Sequence, residues 1–384
     1  MASPTAFVAQ PLPPWRRAVL KVGSSLLAAA GGGLSTRHAL GLAEFIAASH
    51  RAGREVVLVS SGAVAAGRAA VRGIGAQAPL AAKQALAAIG QTQMVALWQR
   101  FFDRPVAQVL LTHDDLRHRR RYLNARGTLR ELLQLGALPV VNENDTVAVD
   151  ELKLGDNDNL AAIVAALVDA DLLLIASDID GLCTANPRTD PTAQPVARVE
   201  AITPAVYAMA GGAGSSVGTG GMQTKLQAAA KAAAAGIATA LFNGTRADTL
   251  RALADGRLHG TLFVPAGTRL AARKYWLRHV PSAGRLWVDA GAARALGGGR
   301  ASLLPGGVVA VEGEFRRGDA VDVLLQGGPS AQPVARGLAE YGAAEMRRLA
   351  GRHSREIAHL LGYSYGECLV HRDDLVLLDE EGAT

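Results

Sequence analysis

The sequence predicts an α/β protein: an open, mostly parallel sheet sandwiched by helices, followed by a small β-rich domain. Three observations support this prediction. Short apolar strand patterns alternate with helical patterns through the first part of the chain, as a parallel sheet covered on both faces requires. The 384 residues, 49% of them hydrophobic, suffice for two or three domains with buried cores. After Leu262 the pattern changes to short apolar runs separated by glycine turns, which is typical of a separate domain.

The strands predicted for the first domain are short apolar runs, and a helix with apolar residues at helical spacing follows each of them. The predicted strands are residues 18–22, 55–59, 106–111, 138–141 and 171–176. The predicted helices are residues 37–52, 80–102, 121–135, 159–168 and 226–235. The order strand–helix–strand predicts parallel neighbours within one sheet.

The β-rich domain is predicted from four apolar runs, at residues 285–288, 307–312, 320–325 and 334–337. We place this domain at residues 284–366, between a linker (266–283) and a C-terminal tail (367–384). The preceding α/β domain spans residues 17–265, after an N-terminal tail (1–16). These boundaries follow the changes in pattern and the proline and glycine content.

Polar clusters follow four of the segments in the first domain. They are Gly23-Ser24-Ser25, Ser60-Ser61-Gly62, Asn142–Asp145 and Ser177-Asp178. In open α/β sheets, ligands bind beyond the carboxyl ends of the strands. One crevice at this edge of the sheet would therefore collect all four clusters.

Composition argues against several classes of protein. Only 4% of the residues are aromatic, which disfavours a set of stacking platforms for single-stranded nucleic acid. The net charge of +6 suits small anionic substrates as well as nucleic acid. Cys183 and Cys368 are the only cysteines. They provide neither a disulfide framework nor a four-ligand zinc site, so we expect a reducing, cytoplasmic location.

No apolar run is long enough to span a bilayer, because Asp169 and Asp171 interrupt the best candidate, Leu160–Ala176. Arg16-Arg17 precedes an apolar stretch and faintly resembles a twin-arginine export signal. We favour a short tail that leads into the first strand, because a periodic α/β pattern follows instead of a cleavage site.

Lys21 lies in an apolar strand, directly before a glycine turn. A lysine in a central strand is unusual unless an anion accompanies its ammonium group. The alternative is an edge strand with a solvated lysine. Two such lysines, one in each half of a sheet, would clamp a phosphoryl group in transfer, which needs positioning and charge neutralisation more than covalent help.

A glycine-rich segment, Val217–Lys225, precedes an alanine-rich helix. Glycines let the backbone approach phosphates closely, and a helix N-terminus offers unpaired N–H groups. The segment is not a Walker A loop, because the required glycine spacing is absent. Phosphate binding and a flexible linker remain the two alternatives for this segment.

Four polar residues, Asp156–Asn159, begin the helix predicted at 159–168. A single aspartate or asparagine suffices to cap a helix, so the extra residues suggest a second role. Two carboxylates suit the orientation of lysines or a magnesium–nucleotide complex. Gly-x-Ser-x-Gly occurs at Gly214–Gly218 and Gly362–Gly366, but neither follows a predicted strand, so a serine hydrolase is disfavoured.

Together these motifs resemble the amino acid kinase family, in particular its members that phosphorylate glutamate and carry a C-terminal PUA module. The resemblance covers about residues 17–375. The matching stretches are Val19–Ser25, Val59–Gly67, Lys83–Gly90, Leu123–Arg126, Val141–Asp145, Leu154–Asn159, Gly181, Pro187-Arg188, Gly218–Lys225, Ser302–Pro305, Gly351–Ile357 and Leu361–Tyr365.

The resemblance implies ATP-dependent phosphorylation of the γ-carboxylate of L-glutamate. The product would be γ-glutamyl 5-phosphate, in the first step of proline biosynthesis, with proline as the usual feedback inhibitor. It also implies Mg²⁺ as the accompanying cation and a homo-oligomer, either a dimer or a tetramer. No metal-ligating residue is assigned.

The resemblance further assigns roles to residues by position. The catalytic residues would be Lys21, Lys225 and Asp158, with the lysines stabilising the transferred phosphoryl group and Asp158 orienting them. Glutamate would be held by Ser61, Asp145 and Asn157. ATP would be held by Lys21, Ser177, Asp178, Thr219, Gly220, Gly221, Met222, Gln223, Thr224 and Lys225. Cys183 departs from the pattern, because tyrosine is common at this position near the nucleotide.

Two other classes remain as alternatives. Another kinase of the same fold would act on acetylglutamate, carbamate, aspartate or a nucleotide, but the polar clusters and the C-terminal module argue against it. An RNA-binding protein is the second alternative, since PUA modules elsewhere bind RNA. Residues 284–384 contain 11 basic and 14 acidic residues, a net of −3 that is poorly suited to a phosphate backbone. We therefore favour an assembly or regulatory role for the C-terminal module.

Overall fold

A computed structural model describes residues 7–29, 33–71, 74, 78–148, 157–210, 221–265, 267, 277–298, 301–327 and 333–378. The chain divides into two compact units, one formed by residues 1–117 and 124–269 and the other by residues 118–123 and 270–384. Asp156 and residues 217–220, which belong to the polar group and the glycine-rich segment singled out from the sequence, lie outside the described residues.

The described strands of the first unit are β1 (Gln10–Pro11), β2 (Arg17–Val22), β3 (Glu55–Ser60), β4 (Val106–Leu111), β5 (Leu138–Glu143), β6 (Leu172–Ser177), β7 (Arg198–Val199), β8 (Ala238–Asn243), β9 (Arg257–Leu258) and β10 (Gly260–Phe263). The helices are α1 (Ser24–Leu27), α2 (Ala39–Arg51), α3 (Ala63–Ala70), α4 (Leu80–Gln99), α5 (His113–Arg117), α6 (Arg119–Gln134), α7 (Asn157–Leu167), α8 (Pro204–Met209), α9 (Met222–Ala234) and α10 (Ala247–Ala254). The first residues of α6, 119–123, are counted with the other unit.

Eight of these strands form one sheet in the order β4-β5-β3-β2-β6-β8-β10-β7. All neighbours are parallel except β8 and β10, which are antiparallel. The predicted mostly parallel sheet is therefore confirmed. Because β2 lies between β3 and β6, Lys21 is on a central strand, and the edge-strand alternative is wrong.

The centre of this sheet is buried and mostly apolar, with Lys21, Ser60 and Ser177 as the buried polar residues near the carboxyl ends of its strands. Every residue of β6 is buried, as are the last five residues of both β2 and β3. Helix α2 packs Phe45 and Ile46 into the same core. Strands buried on both faces are continuous apolar runs instead of alternating patterns, which is why the sequence located them within a residue or two.

Helices α3 and α4 cross at very short range through two glycines. A Cβ atom added at Gly67 would lie 1.9 Å from the carbonyl oxygen of Leu86, and one added at Gly90 would lie 1.8 Å from that of Ala63. No side chain fits at either position, so the crossing requires glycine. This contact holds α4 against the end of strand β3, where Ser60 and Ser61 lie.

The second unit is a strand-rich domain with its own core. Its described strands are β11 (Gly284–Val288), β12 (Val308–Gly313), β13 (Ala320–Leu325), β14 (Ala335–Leu338) and β15 (Leu375–Leu377), in the order β12-β11-β13-β14-β15. Its helices are α11 (Ala290–Gly297), α12 (Ala343–Leu349) and α13 (Ile357–Leu361), with short 3-10 turns at Pro305–Gly307, Ser354–Glu356 and Arg372–Asp374. Strands β11 and β13 are parallel, and the other pairs are antiparallel.

The segments predicted as tails and linker contain ordered elements. Strand β15 pairs with β14, so the sheet continues past residue 366 into the predicted C-terminal tail. Leu277, in the predicted linker, is buried beside Ala320 and Val376. In the predicted N-terminal tail, β1 pairs with β9. Strands β1 and β15 are too short to give a recognisable apolar period, so each is defined only by the strand that it pairs with.

Candidate active site

Three charged side chains meet at the carboxyl end of the central strands. Lys21 is on β2, Asp158 is in the first turn of α7, and Lys225 is in the first turn of α9. Lys21 Nζ lies 2.7 Å from Asp158 Oδ1, and Lys225 Nζ lies 3.2 Å from Asp158 Oδ2. The structure thus brings together the three residues that the resemblance assigned to catalysis.

These three side chains are removed from solvent. Lys21 is 4% exposed, Lys225 is 5% exposed, and Asp158 is fully buried. Burial opposes ionisation of the Asp158 carboxyl, but the charges of Lys21 and Lys225 outweigh it, and the pKa of Asp158 is lowered. The carboxylate is therefore ionised at neutral pH. Two ammonium groups and one carboxylate leave a single net positive charge, which suits an anion.

Thr224 connects this cluster to the N-terminus of α9. Its hydroxyl oxygen lies 2.8 Å from Asp158 Oδ2 and 2.9 Å from the carbonyl oxygen of Gly221, and its single proton serves one of these two acceptors at a time. The first turn of α9 contains Met222, Gln223 and Lys225 as well. The N–H groups at this end and the helix dipole favour a phosphate. Of the residues assigned to ATP, Thr219 and Gly220 lie outside the described residues.

Ser177 and Asp178 end strand β6 on the same edge of the sheet. The Ser177 hydroxyl donates to Asp178 Oδ1 at 3.2 Å, and the Ser177 carbonyl accepts a 2.8 Å hydrogen bond from the N–H of Gly244. Asp178 is exposed, so its carboxylate is accessible to a ligand. Their place beyond a central strand fits the position predicted for the nucleotide.

A second polar cluster is built around Asn157, one residue before Asp158. Asn157 Nδ2 lies 2.8 Å from Ser61 Oγ, 2.9 Å from Asn142 Oδ1 and 3.3 Å from the carbonyl oxygen of Ser60. Asn142 Nδ2 in turn donates to Gln91 Oε1 at 2.9 Å. Ser61 and Asn157, both predicted to hold glutamate, are therefore hydrogen-bonded to each other.

Asp145 follows strand β5 in a turn and is partly buried. Burial, reinforced by the negative charge of Glu143, raises the pKa of Asp145 to about 6. Among the described residues, no hydrogen bond joins Asp145 to Ser61 or Asn157. The structure places it beyond the same edge of the sheet, but not in the Asn157 cluster.

Two features of the site were not predicted from the sequence. Gln91 joins the Asn157 cluster from helix α4, although the matching stretch of sequence ended at Gly90. Cys183 lies in a small apolar cluster with Phe7 and Ala193, and burial raises the pKa of its thiol. Its side chain therefore packs inside the first unit, beside a segment that was predicted to be a tail.

No group of three or more histidine, cysteine, aspartate or glutamate side chains suited to a metal ion occurs within the part of the chain that the structure describes. Of the described helices, none is both long and apolar enough to cross a membrane.

Two family models match the chain. The amino acid kinase family model matches residues 16–243, and the PUA domain model matches residues 284–361. The first match contains the lysine–aspartate–lysine cluster, and the second contains most of the five-stranded sheet. The fold and the site therefore define a kinase with a C-terminal PUA domain.

Curated relatives identify the branch of this family. The glutamate 5-kinase of Xanthomonas oryzae pv. oryzae is 68% identical over 362 residues, covering 94% of this chain and all of that protein. The glutamate 5-kinase of Xylella fastidiosa is 66% identical over 378 residues, covering 98% of each chain. A solved UMP kinase from Bacillus anthracis is 16% identical, with a TM-score of 0.45 over 66% of this chain and 98% of that one. The chain belongs to the glutamate 5-kinase group of the amino acid kinase family.

Proposed function

We propose that this enzyme transfers the γ-phosphoryl group of ATP to the γ-carboxylate of L-glutamate, as the names of its relatives indicate. The observation that carries the proposal is the buried cluster of Lys21, Asp158 and Lys225 beside the Ser61–Asn157 pair. The first group is suited to a phosphoryl group in transfer, and the second is suited to a polar acceptor. The product, γ-glutamyl phosphate, would enter proline biosynthesis.

The nucleophile in this reaction needs no general base. The side-chain carboxyl of glutamate has an unperturbed pKa of about 4.3 and is ionised at neutral pH. The barrier arises instead from repulsion between this carboxylate and the phosphate oxygens. Lys21 and Lys225 reduce that repulsion, because their ammonium groups are held in a buried site where charge is weakly screened.

Asp158 acts in this proposal as a fixed anion, not as a base. Its lowered pKa keeps it ionised and unable to take a proton at neutral pH. One oxygen faces Lys21 and the other faces Lys225, so the carboxylate holds the two ammonium groups on either side of it. Preorganised cations of this kind cost no reorganisation at the moment of transfer.

The polar groups of glutamate have matching partners. Ser61 accepts a hydrogen bond from Asn157, so its own proton is available for a carboxylate of the substrate. Asp145 supplies an anion for the α-ammonium group. Because the pKa of Asp145 is about 6, it is mostly ionised at pH 7, and a bound ammonium group favours the ionised form further.

ATP would be held by Ser177, Asp178 and the N-terminal turn of α9 with Lys225. Mg²⁺, which neutralises phosphate charge in such reactions, would accompany the nucleotide. The described residues do not fit a metal site made by the protein alone, so we assign no step to the ion.

We propose feedback inhibition by proline, a homo-oligomer, a cytoplasmic location and an assembly or regulatory role for the PUA domain. The location is supported by Cys183 and Cys368, neither of which forms a disulfide. The PUA role is supported by the kinase residues, which all precede residue 230.

The test is to incubate the purified protein with Mg-ATP, L-glutamate and hydroxylamine, which traps an acyl phosphate as a hydroxamate. Parallel reactions contain acetylglutamate, aspartate or no acceptor. Glutamate-dependent hydroxamate is the expected result. Hydroxamate formed only with another carboxylate would support the kinase activity but overturn the assignment of glutamate as the substrate.

A further inference from the structure

Gln91 is a buried glutamine whose amide oxygen has a hydrogen-bond partner and whose amino group has none among the described residues. It follows Gly90 on helix α4 and is 6% exposed. Its Oε1 accepts a 2.9 Å hydrogen bond from Asn142 Nδ2, but its Nε2 has no hydrogen-bond partner among the described residues. A buried donor without a partner is costly. Fold stability alone therefore does not explain a glutamine here.

A backbone carbonyl fixes the direction of the hydrogen bonds that reach Gln91. The carbonyl oxygen of Ser60 lies 3.3 Å from Asn157 Nδ2, so Asn157 must turn its amino group to this side. The two protons of this amino group serve the two shorter contacts, to Ser61 Oγ at 2.8 Å and Asn142 Oδ1 at 2.9 Å. Asn142 is thereby left with its amino group facing Gln91, where only an acceptor fits.

The direction of this chain decides what Ser61 offers to a substrate. Ser61 Oγ accepts from Asn157 Nδ2 at 2.8 Å. A hydroxyl that accepts in this way keeps its proton for another partner. If Asn142 turned its amide over, it would place an amino group against that of Asn157. Asn157 would then lose an acceptor, and its contact with Ser61 would loosen.

Helix α4 is fixed relative to these groups by a second contact. Trp98 lies two turns after Gln91, on the same face of the helix. It is fully buried, and its Nε1 donates to Ser60 Oγ at 3.0 Å. Together with the glycine crossing at Gly90, this contact sets the position of Gln91 within the hydrogen-bond chain.

We propose that Gln91 is a positioning residue for glutamate. By accepting from Asn142 it keeps the amide oxygen of Asn142 toward Asn157, which reinforces the orientation favoured by the Ser60 carbonyl, and Asn157 in turn holds Ser61 as a donor to the substrate. This inference rests on the proposed function and adds a residue that does not itself touch glutamate.

The experiment compares Gln91→Met with Gln91→Glu in the hydroxamate assay, with KM measured for both glutamate and ATP. Methionine has a similar length but no acceptor, and we expect the glutamate KM to rise about tenfold while the ATP KM stays within about twofold. Glutamate at this position keeps an oxygen toward Asn142, so Gln91→Glu should lie closer to the wild type. The melting temperature should change little, because Gln91→Met removes one unpaired donor and creates another at Asn142.

Gln99→Met is the matched control on the same helix. Gln99 makes hydrogen bonds to Phe102, Arg104 and Val106 but none to the Asn157 cluster, so its loss should leave the glutamate KM unchanged. Equal rises in both KM values for Gln91→Met, an unfolded Gln91→Met protein, or a Gln91→Glu protein no better than Gln91→Met would overturn the proposal. A wild type without activity on glutamate would instead overturn the proposed function, and this inference with it.

Discussion

Removing the charge of Asp158 tests the electrostatics of the site most severely. Asp158→Asn keeps the shape of the side chain but leaves two ammonium groups, on Lys21 and Lys225, in a site with almost no solvent. Breaking a buried ion pair by removing one partner typically costs about 3–5 kcal/mol. For a domain of this size, a loss of about 1 kcal/mol in the free energy of unfolding lowers the melting temperature by roughly 2–4 °C. We therefore expect the melting temperature of Asp158→Asn to fall by roughly 10 °C.

The same change should increase the response of the protein to nucleotide. The net charge of the three-residue cluster rises from +1 to +2, and the phosphates of ATP then supply the negative charge that the carboxylate supplied. ATP should therefore raise the melting temperature of Asp158→Asn by more degrees than that of the wild type. Turnover should fall sharply, because the ammonium groups are no longer held in place.

The assay is thermal denaturation with and without ATP, beside hydroxamate formation. Asp248→Asn is the control, since Asp248 forms an exposed 2.8 Å ion pair with Arg246, and exposed pairs contribute little. An Asp158→Asn protein that melts within about 2 °C of the wild type, or that turns over normally, would refute the electrostatic reasoning.

Lys225→Met should lower turnover by about 100-fold or more and leave the fold intact by circular dichroism; a near-normal rate would contradict its role. Asp145→Asn should raise the free energy of unfolding at pH 7 by about 1–2 kcal/mol, measured by urea unfolding. The folded protein disfavours the ionised form of Asp145, whose pKa is raised to about 6. This destabilisation begins above about pH 4, where the unfolded chain ionises, and is complete above about pH 6. Asp145→Asn should also raise the glutamate KM, as should lowering the pH of the wild type below about 6; an unchanged KM in both would exclude Asp145 from the site. Gly90→Ala should lower the free energy of unfolding by at least about 1–3 kcal/mol, since its Cβ would meet the Ala63 carbonyl, and wild-type stability would contradict the close crossing. Deleting residues 284–384 should leave phosphoryl transfer but change the oligomeric state or the response to proline, whereas loss of turnover in a folded remainder would contradict the regulatory role.

Sequence reasoning singled out Lys21 and the group that contains Asp158 because these residues break local rules, and the family resemblance assigned roles to them and to Lys225. Lys21 is a cation in an apolar strand, and Asp158 belongs to a polar group larger than helix capping needs. Such violations mark functional sites. The structure confirms the fold class and brings Lys21, Asp158 and Lys225 together, as it does Ser61 and Asn157.

What the sequence could not reveal depends on contacts between distant segments. Gln91 is an ordinary polar residue on a helix, and its role arises only where helix α4 meets the ends of strands β3 and β5. Gly67 and Gly90 are two of 43 glycines, and only the crossing of α3 and α4 shows that neither can carry a side chain. Strand β15 is likewise defined by its partner β14, because three residues give no period.

Glutamate as the acceptor is tested most directly by the ratio of kcat/KM values for acyl phosphate formation. L-glutamate would be compared with acetylglutamate and aspartate under the same Mg-ATP concentration. The proposed function predicts that L-glutamate exceeds both by at least about 100-fold, because acetylglutamate lacks the ammonium group that Asp145 binds and aspartate is one methylene too short. Equal values for the three acceptors, or a preference for acetylglutamate or aspartate, would contradict it.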